Sequence, residues 1–209
     1  SYMPRLSDIV ELYKKTGFSS FRDSGWTWNE IERNKGTYSL KTFFRNEKAL
    51  ISDGGHSILL TLSHGHDAYT GAYNKFATTE TELEGWKNYC KNLALLTNDT
   101  DVSFEVFNEF DMKATPQEYF PLLKYAYEGI KEGNQNAKLI GMVTSYCNLN
   151  FIKTVIGLGG DKYLDAISVH PYTWSYTPEQ FELMDKIKSV RDYMDNNGMK
   201  DKELIITEL

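Results

Sequence analysis

The chain has 209 residues, 41% hydrophobic and 25% charged, a balance that suits one soluble globular domain spanning 1–209 with a sizeable core. Its formal net charge of −6 argues against a nucleic-acid or anionic-membrane partner, since either needs a clustered basic surface, and no apolar run is long enough for a membrane span. Two isolated cysteines, Cys90 and Cys147, match no zinc spacing and are too few for a disulfide scaffold.

The first predicted element is an amphipathic helix from Leu6 to Lys15, capped by Ser7 or Asp8, with Ile9, Leu12 and Tyr13 on one face and Gly17 as its stop. Ser1 stands too close to that helix for a leader peptide to be expected within the sequence, and a leader already removed stays an open alternative. Phe18 to Arg22 follows as a short strand. A loop with Trp26, Trp28, Glu30 and Glu32 leads through a Lys35 to Tyr38 turn into a second helix. Leu40, Phe43, Phe44, Leu50 and Ile51 carry that helix, and Gly54-Gly55 ends it. Ser57 to Leu62 reads as a strand, nearly continuously apolar, as one covered on both faces should be. His64 and His66 come after it. Thr79-x-x-Glu82 is a capping box that opens a third helix, with Leu83, Trp86, Tyr89, Cys90 and Leu93 inward.

From Val102 a β-branched or aromatic residue alternates with a small or polar one, which predicts a strand. It ends in Asn108-Glu109, flanked by Phe107 and Phe110. Thr115-Pro116-Gln117-Glu118 joins a capping box to a proline at the first helical position, and Tyr119, Leu122, Leu123, Ala126 and Ile130 carry the helix to Gly133. Lys138 to Val143 is a strand. Phe151 to Ile156 is a short helix broken by the Gly157 to Gly160 cluster, and Leu164 to His170 is a strand closed by His170-Pro171-Tyr172. Thr177-Pro178-Glu179-Gln180 repeats the cap-plus-proline signal, with Phe181, Met184, Ile187, Val190 and Met194 continuing to Gly198. Glu203 to Glu208 is the last strand.

Six helices alternate with six strands, with no linker or low-complexity segment. Such alternation means parallel strands with helical crossovers, as in a (β/α)₈ barrel or a doubly wound sheet. The barrel is preferred because polar residues mark the C-terminal end of nearly every strand: Arg22, His64, Asn108, Glu109, His170 and Glu208. One barrel rim would collect them all. An open sheet would concentrate them at one switch point, and no glycine-rich phosphate loop follows any strand.

Glu109 and Glu208 are the pair with chemical meaning. Glycoside hydrolysis needs two carboxyl groups flanking the scissile bond, one to protonate the leaving oxygen and, in retaining enzymes, one to attack the anomeric carbon. A single strand-end glutamate is more commonly a solvated rim residue, so the pair is the signal. His64-Gly65-His66-Asp67 could suggest zinc, but with four histidines in all, and His56 before its strand, a ligand set is hard to complete. No metal is expected. The aromatic fraction of 14% suits a sugar cleft, because Trp and Tyr offer a flat apolar face with a polar edge. Trp174 and Tyr69 are the candidate stacking platforms, and Trp28 is expected to be structural.

Together these features resemble the retaining (β/α)₈ glycosidases of glycoside hydrolase clan A. The resemblance rests on Phe21-Arg22 before Trp26, the Trp28 to Tyr38 stretch with Glu32, the histidine after the next strand, Phe107-Asn108-Glu109, His170-Pro171-Tyr172 and Ile206-Thr207-Glu208. It implies that Glu109, ending barrel strand four, is the general acid/base and that Glu208, ending strand seven, is the nucleophile. It further implies that Asn108 bonds the sugar 2-hydroxyl, that Arg22 and Tyr172 hold the nucleophile ionised and aimed, and that His64 and His170 line the −1 subsite. No metal or organic cofactor is implied. Cellulase-like, mannanase-like and β-xylosidase-like branches share these residues, so the sugar stays open.

Relative to that family the chain is truncated at both ends, with barrel strands two to seven present and one and eight missing. Open sheet edges would then favour self-association. Two expectations follow: a retaining β-glycosidase of poly- or oligosaccharides, secreted by inference from its substrate class, or a carbohydrate-binding barrel fragment without turnover.

Overall fold

The computed structural model describes residues 8, 11–12 and 15–209. Residues 8, 11–12 and 15–16 are helical; the rest of the predicted first helix, Ile9 and Tyr13 included, lies outside the described residues, as do the side chains of Phe43 and Leu50.

The apolar runs form six strands: β1 (Ser20–Asp23), β2 (Ser57–Leu62), β3 (Val102–Val106), β4 (Lys138–Ser145), β5 (Ala166–His170) and β6 (Glu203–Ile206). Their order in the sheet is the order in the chain, and every neighbouring pair is parallel. A doubly wound sheet would reverse its order at a switch point. Six consecutive units of a β/α barrel are therefore present, and among the described residues β1 and β6 pair on one side only.

The crossovers carry helices α1 (Trp28–Ile31), α2 (Thr42–Gly54), α3 (Asp67–Thr70), α4 (Glu80–Leu96), α5 (Pro116–Gly133), α6 (Leu149–Gly157) and α7 (Leu183–Asn196). The capping boxes at Thr79 and Thr115 form as expected, each threonine accepting from the glutamate amide three residues on while that glutamate reaches back. α5 lies against α4 through Gly129 and Gly133. A Cβ on either would meet the carbonyl oxygens of Lys87 or Lys91 at 2.4 or 2.2 Å, so only glycine permits this approach. The predicted helix from Thr177 is corrected. Gln180 and Thr177 do exchange capping bonds, but Glu182 has φ 54° and the helix begins only at Leu183. Residues 174–180 are all exposed, so no core contact holds that first turn in helical register.

The core between helices and sheet is aromatic: Trp28, Trp86, Tyr89, Phe104, Phe110 and Tyr119 are all buried. Their polar tips are satisfied. Trp86 Nε1 donates to the Leu122 carbonyl at 3.0 Å and the Tyr89 hydroxyl to that of Trp26 at 2.6 Å. The Tyr119 hydroxyl donates to the Val106 carbonyl at 3.2 Å and accepts from the Met142 amide at 2.8 Å. Met142, with φ 54°, sits in a bulge of β4: Gly141 faces Ile167, but Thr144 faces Val169, one residue more on β4 than on β5. Tyr119 thus takes up an amide that the bulge releases from the ladder.

Candidate active site

Each strand hands a polar residue to the same rim, and the handover is strained. His64, Phe107, Glu109, Tyr146, Cys147 and Trp174 all adopt positive φ without being glycine, each at a cost of about 1 kcal/mol. Such residues cluster where surrounding structure imposes a geometry for function. Around Asn108 the left-handed pair Phe107 and Glu109 turns the chain sharply from β3 into a short 3₁₀ turn, Phe110–Met112. Asp111 pins that turn, accepting from the Ser145 amide (3.0 Å), the Ser145 hydroxyl (2.9 Å) and Asn148 Nδ2 (2.9 Å).

The two glutamates meet. One carboxylate oxygen of Glu109, one of Glu208 and a ring nitrogen of His170 all lie within 4.8 Å of one another. His170, fully buried, places Nδ1 3.1 Å from Glu109 Oε1 and 3.7 Å from Glu208 Oε2. Its Nε2 lies 2.9 Å from the Thr207 hydroxyl, itself 2.6 Å from that of Ser168. Both ring nitrogens are thus occupied, which fixes the imidazole between the carboxylates.

Glu208 is held from two further sides. Tyr172 donates to its Oε2 at 2.7 Å, and Arg22 Nη1 donates to its Oε1. Burial opposes ionisation of Glu208, but the Tyr172 hydroxyl, Arg22 and His170 outweigh it and hold the carboxyl below the usual carboxylate range. The same bond pushes the Tyr172 phenol up. Arg22 Nη2 also donates to Asn108 Oδ1 at 2.7 Å, which commits that oxygen and leaves Nδ2 as the donor end of the side chain. Glu208 lines two cavities. One, of about 280 Å³, includes Arg22, His64, Phe107, Asn108 and Lys113; the other, of about 440 Å³, includes Glu109, Met112, Tyr146, Tyr172 and Trp174.

The remaining expected residues separate. His64 stacks on Tyr73 with ring centroids 4.2 Å apart and lies 2.6 Å from the Ser63 hydroxyl; burial and the nearby Lys113 lower its pKa. Trp174 is 74% exposed, with Nε1 on the Tyr146 hydroxyl and its ring 5.8 Å from that of Tyr172. Tyr69 is no platform. It stacks on the buried Trp28 at 4.9 Å and donates to Glu32 at 2.7 Å, inside the loop cluster behind the rim. His66 is likewise committed, to the Glu32 carbonyl and the Ala68 amide.

Glu105 is the residue sequence reasoning missed. It is buried in β3, where its Oε1 accepts from Arg22 Nε and, at 2.7 Å, from the Thr61 hydroxyl. Its one signal was a carboxylate between Phe104 and Val106, where a covered strand is otherwise apolar.

No protein-family model and no curated protein matches the chain. Solved structures do. A family 39 glycoside hydrolase from Bacteroides cellulosilyticus WH2 superposes with a TM-score of 0.80 at 22% identity, over 99% of this chain and 46% of that one. A family 39 β-xylosidase from Caulobacter crescentus gives 0.72 at 16% identity, over 97% and 49%. An endo-glycoceramidase II from Rhodococcus sp., solved as its lactosyl-enzyme intermediate, gives 0.62 at 12% identity, over 98% and 61%. At such identities the likeness is one of fold: the chain has the barrel fold of these glycoside hydrolases and spans about half the length of the first two.

Proposed function

We propose that the chain carries the catalytic rim of a retaining β-glycosidase of clan A, acting on a poly- or oligosaccharide by double displacement. The observation that carries this reading is that one carboxylate oxygen of Glu109 and one of Glu208 lie within 4.8 Å of each other beside His170. Retaining pairs stand about 5–5.5 Å apart, whereas inverting pairs need about 6.5–9.5 Å to admit a water between them.

Glu208, kept ionised by Arg22 and Tyr172, attacks the anomeric carbon. As the bond to the leaving group breaks, Glu109 gives its proton to the departing oxygen, and a glycosyl ester forms on Glu208. Glu109, now a carboxylate, takes a proton from water that attacks the same carbon, and Glu208 leaves as carboxylate. Two inversions give net retention. The Asn108 amide nitrogen donates to the 2-hydroxyl of the sugar being transferred. The cavity that Glu109 shares with Trp174, Tyr146 and Met112 receives the leaving group, because the acid must stand beside it. The cavity with His64 and Asn108 holds the sugar that becomes esterified. A polymer-directed enzyme of this kind would meet its substrate outside the cell, and among the described residues no helix is long and apolar enough to cross a membrane.

The test is a panel of nitrophenyl β-glycosides, with the anomeric configuration of the first product read by proton NMR. A glycoside fluorinated at C2 is then used to trap the ester. Retention with one label, on Glu208, is expected. Inversion, or a label elsewhere, overturns the reading. Sugar binding with no hydrolysis of any member selects the carbohydrate-binding alternative, which the one-sided pairing of β1 and β6 keeps open.

A further inference from the structure

Glu105 has an environment that the double-displacement scheme does not by itself require. Its side chain is fully buried, one oxygen takes Arg22 and Thr61, and Oε2 is buried with no partner. A carboxylate kept dry with one oxygen unmet is unfavourable unless a cation offsets it. That cation is Arg22. The guanidinium in turn has two carboxylates among the described residues, Glu105 through Nε and Glu208 through Nη1, and one neutral partner, Asn108.

On the reading proposed above, on which this inference rests, the two carboxylates differ in one respect. The charge of Glu208 is consumed in each turnover: once its oxygen bonds the anomeric carbon and the leaving group has departed with the Glu109 proton, Glu208 is a neutral ester. Arg22 cannot lose its own charge in response. We infer that Glu105 is the permanent counter-ion of Arg22, keeping the guanidinium paired and in place while Glu208 is esterified. Glu105 touches no substrate; it is a positioning residue that acts through Arg22. Removing one member of a buried ion pair is strongly unfavourable because the other is left uncompensated, so without Glu105 the ester would be destabilised selectively.

Glu105→Gln isolates the charge, because a glutamine oxygen still accepts from Arg22 and Thr61. Glu208→Gln imitates the neutral ester. A double-mutant cycle on unfolding of the whole chain reads their coupling without any turnover. Each single variant leaves Arg22 one anion and the double leaves none, so the double should lower the folding equilibrium constant about tenfold or more beyond the product of the two single effects. A double variant that no longer folds supports the inference where the two single losses sum to less than the stability of the parent, and additive effects overturn it.

Carbon NMR titration of the Glu208 carboxyl gives a second reading. Arg22, Tyr172, His170 and Glu109 face that group. In Glu105→Gln an Arg22 still in place acts on it undivided, so its pKa falls further. A rise means that Arg22 has moved and Glu105 is only a structural prop, which overturns the inference. In turnover, Glu105→Gln lowers kcat/KM, which includes ester formation, but not the kcat of an activated aryl substrate whose slow step is ester breakdown. Equal losses in both parameters also overturn it. A parent chain that hydrolyses nothing defeats the glycosidase reading and leaves the cycle and the titration to judge Glu105 separately.

Discussion

Tyr172→Phe removes one oxygen and nothing else from the contacts around Glu208. The lost bond runs from a neutral hydroxyl to a carboxylate over 2.7 Å, and such charge-assisted bonds contribute about 1.5–3 kcal/mol. The Glu208 side chain keeps 28% of its surface exposed, and solvent screens part of the effect, so the lower end of that range is the expected loss and the Glu208 pKa rises accordingly. On the proposed reading Glu208 must be ionised to attack, so activity is expected to be lost as pH falls through its pKa. The acid limb of kcat/KM against pH therefore moves upward by the same amount, with Arg22 and His170 still holding part of the depression. Stability follows the same sign. A carboxyl held below 4.5 contributes stability above that value, lost as pH falls through the folded pKa, and Tyr172→Phe narrows that window. Carbon NMR of the labelled carboxyl measures the pKa directly. An unchanged pKa together with an unchanged acid limb would refute the claim that Tyr172 helps to hold the nucleophile ionised.

Glu109→Gln should slow hydrolysis of substrates with poor leaving groups by about 10²–10⁴-fold, the usual scale of general acid catalysis, while sparing formation of the ester from activated aryl glycosides; uniform loss on both would refute the assignment. Trp174→Ala should raise KM about two- to tenfold, the scale of one aromatic contact, and leave the unfolding midpoint nearly unchanged because the ring is 74% exposed. A second pH effect lies behind the rim. Glu47 on α2 is buried, accepts from Trp26 Nε1 at 3.0 Å, and is pushed up to about 8 by burial and by Asp23. A raised carboxyl pKa contributes stability below 4.5 that is lost as pH rises to about 8. The midpoint of Glu47→Gln should therefore gain on the parent across that interval, and parallel curves would count against it. Finally, the one-sided β1 and β6 should make the chain associate with rising concentration, measured by sedimentation; a monomer throughout would show those edges to be protected.

The strands were legible because burial on both faces leaves a continuous apolar run, as in Ser57 to Leu62. Thr79 and Thr115 gave true helix starts because a capping box is satisfied within four residues. The same local logic misled at Thr177: the box forms, but a cap specifies where a turn begins and not whether a core waits to continue it. The rim was legible residue by residue, since Arg22, Asn108, Glu109, His170, Tyr172 and Glu208 sit at strand ends and converge. What lay beneath was not. Glu105 owes its importance to Arg22, 83 residues away, and Tyr69 is taken from the cleft by Glu32 and Trp28, a matter of side-chain packing that no periodicity encodes.

The extra residue in β4 makes that strand keep two reading frames. Below Met142, Ile140 stands opposite Ala166; above it, Ser145 stands opposite His170, one place later than a plain ladder would allow. Were the bulge to straighten, Thr144 would slide opposite His170 and Ser145 would turn its side chain to the other face. Asp111 would then lose the amide and hydroxyl that moor the turn carrying Glu109. The first half of β4 is thus free to be a plain apolar wall, while its last residues answer to a separate alignment set by Asp111.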